Sequence, residues 1–263
     1  MAKTRTRFVC QNCGAESAKW IGRCPSCNEW NTYVEEIISP QAERQAHPAA
    51  MGASKVVPLT SVADRDFNRI DTGINEINRV LGGGMVPGSI ILLGGEPGIG
   101  KSTLALQVAL ILNNLKTLYI SGEESASQVK LRAQRLGQVH DNLFILCETN
   151  IDAIYAAIEK ERPHLIVVDS IQTLYAEYIE SSPGSVSQIR ECAFRLMRLS
   201  RSLAIPLFMI GHIVKDGSLA GPKTLEHMVD TVLQFEGDRQ YLFRILRTTK
   251  NRFGSTSEIG IFE

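Results

Sequence analysis

Several absences bound this sequence before any motif is considered. No stretch approaches the roughly 20 consecutive apolar residues that a membrane-spanning helix needs, so no membrane partner is expected. The basic start, MAKTRTRFVCQNC, has no apolar segment behind it and is not a secretory signal; a cytoplasmic protein is the expectation. Net charge is missing too, with 28 Lys and Arg against 28 Asp and Glu. A strongly basic chain would point to nucleic acid by composition alone; here any such contact must come from local patches. No internal repeat is evident. What remains is 263 residues, 44% hydrophobic and 21% charged, enough for one large globular domain with a small one beside it.

Cysteine is scarce beyond residue 27. Four of the six crowd into residues 10–27, and in a cytosolic chain that clustering points to metal rather than disulfides. Cys10-x-x-Cys13 and Cys24-x-x-Cys27 supply four thiolates with tetrahedral reach, the pattern of a structural Zn²⁺ site with no position left open for catalysis. So small a module has too little core to fold alone, and the metal would supply its folding free energy. At least one of Trp20 and Trp30 is expected in its core. Cys147 and Cys192 stand alone and are expected to pack as small apolar residues.

Residues 1–34 therefore read as a Cys₄ zinc module. Residues 35–58, with prolines and small residues, read as a linker, and residues 59–263 as the main domain. There, short apolar runs alternate with helical patterns. Strands are expected at 89–93, 116–120, 143–147, 165–168 and 206–210. Helices are expected at 102–113 (Leu104, Val108 and Ile111 inward), 126–136 (Val129 and Ala133 inward), 151–161 and 187–203. An antiparallel pair, 231–235 and 241–248, is expected around a turn at 236–238. The fold class is α/β with a mostly parallel sheet covered on both faces.

The main chemical motif follows the first of these strands. Gly95, Glu96, Pro97, Gly98, Ile99, Gly100, Lys101, Ser102 and Thr103 form a glycine-rich turn into a helix, the context a phosphate-binding P-loop requires. Its backbone N–H groups and helix dipole favour phosphate; Lys101 should reach the β- and γ-phosphates, and Ser102 should ligate Mg²⁺. ATP or ADP is the expected ligand. Asp169, closing an apolar strand, is expected to hold the magnesium water shell, the bland alternative being a helix N-cap. Glu123 or Glu124, at another strand end, should orient the attacking water; the alternative is first-turn helix acids. Lys250 and Arg252 read, on their own, as exposed charge at a strand end.

Together, the cysteine module, GGEPGIGKST, YISGEES, LIVVDS, LAGPKTLEHMVDTVLQFEGD and the pentapeptide KNRFG at 250–254 resemble the bacterial RadA (Sms) family of RecA-like DNA recombination and repair proteins, over nearly the whole chain. The resemblance implies a RecA-like P-loop ATPase core of the kind that assembles as rings or filaments, here expected as a homo-oligomeric ring (a hexamer) that translocates on single-stranded or branched DNA and promotes branch migration. It places the water-activating role on Glu123, γ-phosphate sensing at His212 and adenine stacking at Arg132. Lys250 and Arg252 would reach a neighbour's phosphates. Lys215 and Lys223, in a loop after the fifth strand, would contact DNA, and Tyr175 and Tyr178 could stack on bases, although at least one is expected to pack locally. The family continues into a C-terminal domain resembling the Lon protease, which is expected to be missing here. Two other functions are alternatives: a nucleotide-switched regulator like the KaiC branch of the fold, which also carries paired glutamates after the strand but against which the zinc module and KNRFG argue, and an adaptor whose zinc module recruits a recombinase or replicative helicase.

Overall fold

The computed structural model describes residues 5–38, 58–61, 68–211, 224–237 and 243–263. In the N-terminal module, β1 (Arg5–Cys10) pairs antiparallel with β2 (Glu16–Ser17) and with β3 (Tyr33–Ile38), so the small sheet runs on past residue 34. Its buried centre is Cys10, Cys24 and Tyr33, with Phe8, Cys13, Ala15 and Cys27 against them. The cysteines themselves occupy the core, which leaves no room for an indole. Contrary to expectation, both tryptophans are exposed, Trp20 by 53% and Trp30 by 66%. The module meets the main domain where the Val186 N–H donates to Gln11 Oε1 at 3.3 Å.

The main domain opens with α1 (Asn75–Leu81), a short helix absent from the sequence expectation. Then follow β4 (Ile90–Gly95), α2 (Lys101–Ile111), β5 (Thr117–Ser121), α3 (Ala126–Leu136), β6 (Leu143–Cys147), α4 (Ile151–Glu161), β7 (Leu165–Asp169), α5 (Val186–Leu203) and β8 (Leu207–Ile210). The short helix α6 (Thr224–Met228) leads into β9 (Thr231–Gly237), β10 (Arg244–Asn251) and β11 (Ile259–Phe262). Among the described residues the main sheet has the order β11-β10-β9-β4-β8-β7-β5-β6. It is parallel from β9 to β6 and antiparallel through β10 and β11.

Why these runs form interior strands is visible in their burial. β4, β5, β7 and β8 are buried at every position, as parallel strands covered on both faces must be. Alternation divides them between two cores: Ile90, Leu92, Ile120 and Val168 face α4 and α5, while Ile91, Leu93, Tyr119 and Val167 face α1, α2 and α3. The expected α/β class is what the chain adopts. Two local expectations fail. Ile111 is exposed, because α2 buries Leu104, Leu106, Val108 and Leu110 around most of its girth and Ile111 falls on the remaining side, in line with the half-buried Thr103 and Gln107. Cys147 is exposed because β6 is the sheet's edge strand, whereas Cys192 on α5 is fully buried. Asp238 and Tyr241, expected in the last hairpin, lie outside the described residues.

Candidate functional site

The phosphate loop leaves β4 at Gly95 and enters α2 at Lys101. Gly100 stands at the helix N-cap with φ of 111°, a left-handed conformation that glycine adopts without steric cost. No side chain caps this helix end, so its first N–H groups are offered to the loop, where an anion is favoured. Lys101 Nζ donates to the carbonyls of Gly95 at 2.7 Å and Glu96 at 2.9 Å, folding the cation into the loop. Burial lowers the Lys101 pKa to about 8, against the opposing pull of Asp169 and Glu123.

Opposite the loop lie the ends of β5 and β7. Asp169 Oδ1 accepts from Ser102 Oγ at 3.0 Å, and Oδ2 from the fully buried Tyr119 hydroxyl at 2.5 Å. Burial, then the Asp169 charge, keeps that hydroxyl protonated well above the usual tyrosine range. The N-cap alternative for Asp169 finds no support: the N-cap of the 3₁₀ turn that follows, Ile171–Thr173, is Ser170, and no side chain caps it. The two glutamates separate by geometry. Glu124 is held by Arg132 at 2.8 Å, while Glu123 Oε1 accepts from Ser170 Oγ at 2.6 Å and bears on Lys101. Gly122, just before them, has to be glycine, because a Cβ there would lie 1.9 Å from Thr173 Oγ1. Ser102 with the buried Asp169 beside a phosphate cradle is a donor set that suits Mg²⁺ carried by a nucleotide.

Arg132 turns its guanidinium inward onto Glu124 (2.8 Å), the Tyr119 hydroxyl (3.3 Å) and Asp169 (3.6 Å). Lys250 and Arg252 are also engaged within this chain. Lys250 Nζ donates to the carbonyls of Glu226, His227 and Val229 at the end of α6, and Arg252 pairs with Asp230 at 3.1 Å. Lys250 lies opposite Val232, level with Leu92, whereas the loop departs at Gly95, so neither residue faces its own phosphate site. Tyr178 packs against the core with its hydroxyl on Glu191. His212, Lys215 and Lys223 lie outside the described residues. Sequence reasoning missed Tyr119 and Ser170. The signal for Tyr119 was strand alternation, which puts it on the same sheet face as Asp169 once β5 and β7 are known to be neighbours.

In the N-terminal module the ligand atoms of Cys10, Cys13, Cys24 and Cys27 lie within 4.8 Å of one another. Burial raises the Cys24 thiol, yet N–H groups of Cys27 and Ser26 and the Tyr33 hydroxyl together bring it down to about 6. Four converging sulfurs, one with donors already aimed at its thiolate, fit a structural Zn²⁺.

Comparison with known proteins agrees with this geometry. A family model described as an AAA domain matches residues 57–218, and one described as a rubredoxin metal-binding domain matches residues 8–35. The chain is 54% identical over 264 residues to the DNA repair protein RadA of Listeria monocytogenes, 52% over 267 residues to that of Halalkalibacterium halodurans and 54% over 268 residues to that of Bacillus subtilis. Each match takes in 100% of the chain but 58% of the relative's length.

Proposed function

Because the chain belongs to the AAA domain family, we propose that it binds and hydrolyses ATP in the service of DNA repair. The observation that carries this is the meeting of a phosphate cradle, Ser102 and Asp169 at the ends of β4 and β7, the two strands that flank β8. Relatives sharing the full length of this chain are named DNA repair protein RadA, which supports the DNA side.

In this reading the loop N–H groups and Lys101 bind the β- and γ-phosphates. Bound with ATP, Mg²⁺ would be held by Ser102 and Asp169 and would neutralise phosphate charge. Glu123, steadied by Ser170, orients the attacking water, while Glu124 is committed to Arg132. Arginine-finger residues in trans stabilise the transition state in related ATPases. Lys250 and Arg252 take that role in a ring of subunits, and Lys250 must first release the α6 carbonyls. His212 senses the γ-phosphate, Lys215 and Lys223 contact single-stranded or branched DNA, and turnover drives translocation and branch migration.

ATP turnover measured with and without single-stranded DNA tests this. Lys101→Ala is expected to lower turnover by about 100-fold or more, and DNA to raise it. No DNA stimulation, together with no DNA binding at low salt, where phosphate contacts are strongest, would sink the proposal. The exposed Trp20 and Trp30 favour a second, compatible role, in which the zinc module recruits a recombinase or helicase; Lys101→Ala should then leave partner capture intact.

A further inference from the structure

The two oxygens of Asp169 face different partners. Oδ1 lies 3.0 Å from Ser102 Oγ on the phosphate side, while Oδ2 accepts the 2.5 Å hydrogen bond of Tyr119. A carboxylate's terminal torsion is broad and costs little to turn, so something must fix it if one oxygen is to stay aimed at the phosphate site. Tyr119 is suited to do so. It is 0% exposed, it projects from β5 onto the same face as Asp169, and its ring is packed into the core between the sheet and α2 and α3. Arg132 completes the arrangement, 3.3 Å from the Tyr119 oxygen and 3.6 Å from Asp169 Oδ2, and is itself held by Glu124 at 2.8 Å.

We propose that Tyr119 is a positioning residue for nucleotide-bound Mg²⁺: by holding Oδ2 it keeps Asp169 Oδ1 beside Ser102, where the metal's water shell would form. This rests on the assignment of the site to ATP and Mg²⁺. Tyr119 touches neither nucleotide nor metal and acts through Asp169. Arg132 is the outer member of the same clamp, and without the phenol it would draw Asp169 towards itself and away from Ser102.

The test is the affinity of a fluorescent ATP analogue in Mg²⁺ and in EDTA, for the wild-type chain, Tyr119→Phe and Lys101→Ala. Outer partners of metal ligands typically change metal affinity by about 10- to 100-fold. Tyr119→Phe is therefore expected to leave the affinity in EDTA unchanged and to cut the gain conferred by Mg²⁺ by about 10-fold. A Tyr119→Phe chain that keeps the whole Mg²⁺ gain overturns the proposal and leaves the ATP assignment standing. Equal losses with and without Mg²⁺ also overturn it, since they mark a purely structural role. If the wild-type chain binds the analogue no better than Lys101→Ala, the ATP assignment itself fails. Should Tyr119→Phe not fold, Arg132→Gln retains the phenol and removes its outer support; a smaller shift in the same direction is expected, and an unchanged Mg²⁺ gain refutes the clamp.

Discussion

Three donors from distant parts of the chain converge on one buried carboxylate. Asp230 accepts the Ile90 N–H at 3.0 Å, Arg201 at 3.2 Å and Arg252 at 3.1 Å. Both arginines are about half exposed, so the ion pairs contribute little. The loss on substitution comes mainly from the Ile90 N–H left unsatisfied at the start of β4. Asp230→Ala is expected to cost about 2 kcal/mol, read from the urea midpoint with an unchanged slope. The two isolated thiols make a second contrast. Burial pushes Cys192 up to about 12 from an ordinary 9.0. Below pH 9 the thiol is neutral in folded and unfolded chains alike and contributes no pH dependence. Above it, only the unfolded chain ionises, so stability falls as pH rises until the folded thiol also titrates. In the zinc-loaded protein a thiol reagent at pH 8 should label Cys147 rapidly and Cys192 only on unfolding; equal rates would contradict the burial of Cys192.

Among the elements, α5 shows how the ends of a long helix are fixed. Ser185 caps its start by accepting from the Gln188 N–H, and Ala204 ends it with φ of 54°. Residues with a Cβ pay about 1 kcal/mol or more in that conformation, so Ala204→Gly should raise stability by about 1 kcal/mol, measured by chemical denaturation. The element pattern was largely readable in the sequence. β5, β7 and β8 are apolar runs cut off by turn or acidic residues, and α3 and α4 carry one clear apolar stripe each, so their limits emerged within a residue or two. The misses have physical causes. α2 is buried around most of its surface and presents no single stripe to read. α1 has only seven residues, although Gly82 at its left-handed cap marks its end. In the candidate site, the loop, Ser102 and Asp169 were legible because they are local motifs. The partners of Arg132 and the clamp by Tyr119 depend on which strands become neighbours, and local spacing does not contain that information.

At the scale of the whole molecule, the small module and the AAA domain are stabilised by different means. The module's buried centre is Cys10, Cys24 and Tyr33, while the domain has two extensive apolar cores on either side of its sheet. Removing zinc with a chelator, or substituting Cys13→Ala, should therefore unfold the module and spare the domain. Far-ultraviolet circular dichroism, dominated by the helices of the domain, should change little, while proteolysis within residues 5–38 accelerates; a large loss of helix signal would show that the two fold as one unit. The placement of the tryptophans has an optical consequence. The chain has only two, and both stand on the surface of the module. Indole emission is thus a lamp fitted to one part of the protein and dark to the other. In a single sample it can follow the metal-bound module while an added nucleotide fluorophore follows the phosphate site, so that communication between the two becomes visible without attaching any label to the chain.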